Sequence, residues 1–145
     1  MGRNAVTVQS KEPFKSRSLI RVRHAETDAM RVAYHGSYLP WFEVGRTDLI
    51  RELGYPYKQL EAEGVFMPVI ELSCRYVKPV HYDDDLELFS WIDELQGVRI
   101  KMMYELFRAK VLVAKGFTIH AFTDGASRPL RPPGSFIQRV TAPHG

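Results

Sequence analysis

The sequence predicts an α+β fold, one long central helix wrapped by a five-stranded antiparallel sheet, and three observations carry that prediction. Residues 38–53 hold apolar side chains at the three- and four-residue spacing of a long helix. One segment before them and four after them read as strands, by period-two alternation or as apolar runs between turn signals. The later strands are joined by turns too short for a crossover, so neighbours must run antiparallel.

The first strand is expected at residues 18–24, where Ile20, Val22 and His24 alternate with Arg21 and Arg23 and should point together toward the core. A polar, irregular stretch, residues 25–37, follows. In the helix, Tyr38, Phe42, Gly45, Leu49 and Leu53 share one face, which Trp41 and Ile50 widen. Ser37 is the expected N-cap, Pro40 belongs to the first turn, and Gly54 is the stop. A glycine inside a helix costs about 1 kcal/mol relative to alanine, so Gly45 on the apolar face implies close approach to the sheet. A short helical piece is expected at residues 57–63, ending at Gly64. The strand at residues 65–77 carries Pro68, which marks an edge or bulge. The acidic turn at residues 82–85 leads into a strand at residues 86–95. Gln96-Gly97 turns the chain into residues 98–109, and a second hairpin near residues 108–110 leads to residues 111–123. The tail from Gly125 onward holds Pro129, Pro132, Pro133 and Pro143 and is expected to be irregular and partly mobile. Domain organisation is therefore an N-terminal arm (1–15), one folded domain (16–126) and a tail (127–145).

At 145 residues, 45% hydrophobic and 26% charged, the chain has the size and composition of one globular domain. No window approaches the run of about 20 apolar residues that spans a bilayer, and the first residues lack an apolar signal-peptide core. With Cys74 as the one cysteine, no internal disulfide can form, so a cytoplasmic setting is expected and Cys74 reads as a core residue. The net charge of +3 forms no basic stripe with interleaved aromatics, which argues against nucleic acid and suits a rim for a small phosphorylated ligand equally well. One helix covers one face of five strands. Phe89, Trp91, Met103 and Phe107 leave apolar material on the other, enough for contact with a second subunit.

Residues 24–38 carry the candidate chemistry. They form a loop dense in functional side chains that feeds into a helix N-terminus, whose unpaired N–H groups and partial positive charge suit a developing oxyanion. A carboxylate just before such an end can attack, or activate water against, a carbonyl held there. Glu26-Thr27-Asp28-Ala29, then Tyr34-His35-Gly36-Ser37-Tyr38-Leu39 and Trp41-Phe42-Glu43, resemble the signature of the 4-hydroxybenzoyl-CoA thioesterase family of hotdog proteins, in particular its YbgC-like branch. Arg75-Tyr76-Val77-Lys78-Pro79 and Tyr82-Asp83-Asp84-Asp85-Leu86 match that family too.

The resemblance, which covers about residues 18–124, implies a hotdog fold and acyl-CoA thioester hydrolysis. It implies Asp28 as catalytic carboxylate, the backbone N–H of His35 as carbonyl polariser, and the Tyr34 and His35 side chains as lining the site. It also implies a homo-oligomer, a dimer or a dimer of dimers, acting on an acyl-CoA or aroyl-CoA. One departure stands out: many members have glycine three residues after the aspartate, where this chain has Arg31. Coenzyme A is part of the substrate, and no cofactor or metal is expected. Glu43, Arg75, Lys78 and Arg128 are the candidate substrate-binding residues, with Arg131 a further basic candidate.

Each assignment has a plainer rival. Asp28 after Thr27 can cap a turn, His35 can cap the helix, Glu43 can pair with Arg46 at i,i+3, and the basic residues can be ordinary solvated charge. His81 and His120 have no partners at metal-ligand spacing. A non-catalytic acyl-CoA or acyl-carrier binding protein of the same fold is the alternative function.

Overall fold

The computed structural model describes residues 12–143. The elements are β1 (Ser16–Arg21), α1 (Tyr38–Glu52), α2 (Tyr57–Ala62), β2 (Val69–Tyr76), β3 (Asp85–Gln96), β4 (Arg99–Arg108), β5 (Val111–Ala121) and α3 (Gly134–Thr141). Two single 3-10 turns, His24–Glu26 and His35–Ser37, lie between β1 and α1. The strands form one sheet in the order β1-β3-β4-β5-β2, every neighbour antiparallel, so the expected helix-on-sheet architecture is present.

Two-residue turns connect the central strands. Gly97 adopts φ +60° in the first, and Ala109 and Lys110 take positive φ in the second, the twist that matches flanking strands. Burial alternates along β4 and along β3 up to a bulge between Ile92 and Glu94, placing Leu86, Leu88, Ile100, Met102 and Leu106 inward. Helix α1 lies on that inner face: Phe42 stacks on Tyr104 with ring centroids 4.3 Å apart, and Leu49 and Ile50 are fully buried. Fully burying a side chain of that size contributes about 1.5–3 kcal/mol. Gly45 behaves as expected, since a Cβ there would collide with Leu88 and the Ser90 hydroxyl of β3. Gly54 ends the helix region at φ +92°.

Four local expectations need correction. The tail is not irregular throughout: Phe136 and Val140 of α3 are buried, Phe136 meeting Tyr55 and Phe122 edge-on, and the Arg139 guanidinium donates to the Gly54 carbonyl (3.1 Å). His24 does not follow Ile20 and Val22 inward, because the strand ends at Arg21 and a 3-10 turn swings its ring out to stack on Tyr82 (3.6 Å). The Ser37 side chain makes no cap bond to the helix; its hydroxyl donates instead to the Glu26 carbonyl (3.0 Å). Glu43 and Arg46 form no ion pair among the described residues. The expected N-terminal arm lies mostly outside the described residues.

Candidate active site

The loop before α1 is a small hairpin, and its hydrogen bonds explain why its residues sit where they do. Thr27 pairs with Ala33, the Asp28 N–H donates to the Val32 carbonyl (2.9 Å), and the Arg31 N–H donates to the Asp28 carbonyl (2.9 Å). That pattern needs one residue in the left-handed region, and Arg31 occupies it at φ +66°. The glycine common at this place in the resembled family would adopt that conformation freely; an L-residue does so at about 1–2 kcal/mol. Arg31 thus keeps the turn that glycine would make. The return arm is anchored to the segment before β3 by the Ala33 N–H, which donates to the Val80 carbonyl (2.8 Å).

Asp28 sits at the hairpin tip, exposed. Its Oδ1 accepts from the Met30 N–H (2.8 Å), which orients the carboxylate, while Oδ2 accepts from no donor among the described residues. Two residues earlier, the Glu26 carbonyl accepts both the Tyr34 N–H (2.7 Å) and the Ser37 hydroxyl (3.0 Å). The strand carrying Asp28 is therefore bolted to the start of the helical segment. Glu26 itself is buried, with its carboxylate bonded to the Arg23 backbone N–H (2.8 Å), the Arg23 guanidinium (3.0 Å) and Trp41 Nε1 of α1 (2.9 Å). Burial alone would push this carboxyl up, but those donors and the Arg23 charge outweigh it and hold the pKa below the ordinary value.

Tyr34 and His35 flank the helix start, both exposed, with ring centroids 4.1 Å apart. The Tyr34 ring covers Gly36, where any Cβ would meet it at 2.7 Å. Tyr76 at the end of β2 adds a contact that sequence reasoning did not single out: its hydroxyl donates to the His35 carbonyl (2.7 Å), and its ring meets Tyr38 edge-on at 4.8 Å. Burial, then neighbouring Cys74, Tyr38 and Tyr34, push the Tyr76 phenol up to about 12, so it stays a donor. The signal was its place in the quoted Arg75-Tyr76-Val77 segment, but the contact is non-local.

The other candidates are scattered. Glu43 lies in the second turn of α1, away from Asp28 in sequence, and lines a cavity with Arg46 and Met67. Arg75 projects from the outer face of the sheet, beside Trp91 and Lys115, whereas Cys74 and Tyr76 face the helix. Lys78 is exposed just beyond β2. Arg128 and Arg131 are also exposed, and the Arg128 guanidinium pairs with Asp124 (3.0 Å). Cys74 is half-buried, and burial raises its thiol pKa, which suits a packing role. Among the described residues, no three His, Cys, Asp or Glu side chains gather as a metal site, and no helix is long and apolar enough to cross a membrane.

Comparison with known proteins decides the family. The model of the thioesterase-like superfamily matches residues 22–143. The chain belongs to that superfamily. It is 39% identical over 113 residues to YneP of Bacillus subtilis, covering 77% of this chain and 82% of that one. It is 31% identical over 91 residues to the acyl-CoA thioester hydrolase YbgC of Escherichia coli, covering 63% of this chain and 68% of YbgC. Among solved structures, the DHNA-CoA thioesterase from Staphylococcus aureus superposes with a TM-score of 0.78 at 35% identity, over 81% of this chain and 80% of that chain. The hotdog fold and the YbgC-like kinship read from the loop and helix residues are thus borne out.

Proposed function

We propose that this member of the thioesterase-like superfamily is an acyl-CoA thioesterase, with Asp28 as the catalytic carboxylate and the amide end of the helical segment beginning at His35 as the oxyanion donor. The observation that carries this reading is the pair of hydrogen bonds that the Glu26 carbonyl accepts from the Tyr34 N–H and the Ser37 hydroxyl, which ties the Asp28 strand to that helix start. An aspartate with one oxygen oriented and the other free is suited to taking a proton from water or to attacking the thioester carbon.

As a base, Asp28 removes a proton from water while hydroxide adds to the carbonyl. The oxyanion is held by backbone N–H groups, and collapse expels the coenzyme A thiolate, which leaves as thiol with the proton that Asp28 took. As a nucleophile, Asp28 adds to the thioester carbon and expels the coenzyme A thiolate, leaving a mixed anhydride that water then hydrolyses to the free acid and the Asp28 carboxylate. Tyr76 is a positioning residue in either case: by donating to the His35 carbonyl it steadies the residue whose backbone N–H polarises the thioester carbonyl.

Relatives named for acyl-CoA or DHNA-CoA hydrolysis support a CoA thioester as substrate. Edge strand β2 supports a homodimer. Phe66, Val69, Ile70, Leu72, Tyr76 and Val77 on and beside it are each 38–49% exposed, and antiparallel pairing with its copy would extend the sheet and wall the site. Lys78, two residues beyond Tyr76, is the basic candidate best placed for a phosphate at the mouth.

The test is thiol release from short, long and aromatic CoA thioesters. Asp28→Asn is expected to lower kcat by about 10²–10⁴-fold with unchanged thermal stability. Turnover in isotopically labelled water reports on the two roles, since label in Asp28 requires a nucleophilic Asp28 whose anhydride is attacked at the aspartyl carbon. Tight acyl-CoA binding with no cleavage across the panel would replace this reading by the binding-protein alternative.

A further inference from the structure

The wall between α1 and β2 runs past the reacting end. Tyr76, at the C-terminal end of β2, touches the helix start, while Met67, just before β2, lines a cavity of about 310 Å³ with Glu43 and Arg46. Strand and helix are therefore antiparallel neighbours along a seam. On its strand side, Leu72, Cys74 and Tyr76 pair with the inward-facing Thr118, Gly116 and Ala114, so they face the helix. On its helix side, Leu39, Glu43 and Arg46 follow at i, i+4 and i+7. Leu39 and Leu72 are exposed in the single chain, giving the seam an apolar lining between two polar ends.

The far end is unusual for a protein interior. Arg46 is half-buried and forms no ion pair among the described residues, so its guanidinium brings an uncompensated positive charge to the cavity. Beside it, the Tyr57 hydroxyl is fully buried and has no hydrogen-bond partner. Burial pushes the Tyr57 and Tyr104 phenols up, and Arg46 pulls both the other way, so the guanidinium lies close to each. A buried hydroxyl without a well-formed hydrogen bond, beside an unpaired cation at a cavity wall, calls for an explanation, and one is a ligand atom. Glu43 and Glu61 line the same cavity. A hydroxyl satisfies this set, accepting from Arg46 and donating to Glu43, whereas a carboxylate would face two like charges.

We propose that the Arg46 cavity is the distal acyl subsite, recognising a hydroxyl at the far end of a medium-length acyl chain. The assignment rests on the thioesterase reading above and adds the substrate class. Helical rise sets the ruler: Glu43 and Arg46 lie about 13–18 Å along the segment from His35. That distance exceeds the length of a benzoyl group and matches an extended chain of intermediate length.

The test compares saturated acyl-CoAs of increasing length with their ω-hydroxy and ω-carboxy counterparts, using the full chain. The wild type is expected to prefer the ω-hydroxy substrate by about tenfold or more in kcat/KM, at intermediate length only. In Arg46→Met and in Tyr57→Phe, a conservative change that removes only the hydroxyl, the ω-hydroxy to unsubstituted ratio should fall toward one. Calorimetric binding of the same pairs reads the same ratio if turnover is absent, so failure of the thioesterase reading is separable from failure of this one. A ratio near one in the wild type, a preference for ω-carboxy chains, or a preference that survives Arg46→Met would each overturn the proposal.

Discussion

The two edges of the sheet are built to opposite specifications. At β1 the outward positions are Arg17, Leu19 and Arg21, and the arginines pair with Glu87 (2.5 Å) and Asp85 (2.8 Å) of β3. Charge at an edge discourages a further strand, and Leu19 stands alone as an apolar side chain there. At β2, by contrast, both faces carry exposed apolar side chains along the strand. The difference teaches that one edge is closed by charge while the other exposes apolar side chains, on the side where the Tyr76 contact, the helix start and the Arg46 cavity all lie.

The comparison is broken most directly by reversing the chemistry of the edges. Leu72→Lys places a charge that meets its own copy across a two-fold pairing, and should weaken self-association by about 3 kcal/mol or more, over about a hundredfold in Kd. Light scattering should find a monomer with reduced thioesterase activity, while Leu19→Lys leaves the mass unchanged. Equal behaviour of the two variants would remove the asymmetry.

Next in size is the acid response of the latch beneath β2. Buried His120 on β5 bonds the Met67 carbonyl (2.9 Å) and the Thr118 hydroxyl (2.8 Å), which in turn bonds Tyr104 (2.6 Å). Burial, with Arg46 adding to it and the Met67 bond opposing it, lowers the His120 pKa to about 4. The folded chain thus binds this proton less readily than the unfolded chain. The stability is fully present above the ordinary histidine pKa of about 6.5 and is lost as pH falls toward 4, up to about 3 kcal/mol. Urea melts across that range should show the slope, and His120→Asn should flatten it.

Smaller again is Gly116→Ala. A Cβ there would strike the Ser73 carbonyl of β2 and the Phe42 ring, so a loss of about 1–3 kcal/mol is expected in thermal melts. The smallest effect belongs to the charged edge. Arg17→Ala removes an exposed ion pair and should cost under about 1 kcal/mol in the same assay.

The sheet and α1 were legible because their signals are periodic and local: Phe42, Gly45 and Leu49 mark the helix face, and alternation along β3 and β4 marks the inward side. Helix α3 was not legible, since eight residues hold little periodicity and its stability comes from Phe136 packing on Tyr55 and Phe122, far away in sequence. In the candidate site, Asp28 and the helix start could be read from one short string. The Glu26 clamp and the Tyr76 contact could not, because their meaning depends on Trp41 and on a strand 41 residues from His35. The Glu43–Arg46 pair failed for a similar reason: spacing allows the contact, but both side chains instead line a cavity completed by Tyr57, Glu61 and Met67.

The middle of the sheet, β3 to β5, is a run of consecutive hairpins, whereas β1 and β2 arrive from earlier in the chain to flank it. Closing a hairpin costs little chain entropy, and docking a distant strand costs more. The meander is accordingly the inexpensive nucleus, and the two borders are the last parts to be zipped on and the first to fray. Partial unfolding would then open the seam between α1 and β2 while the central three strands persist, so loss of thioesterase activity should precede loss of the bulk β signal on heating.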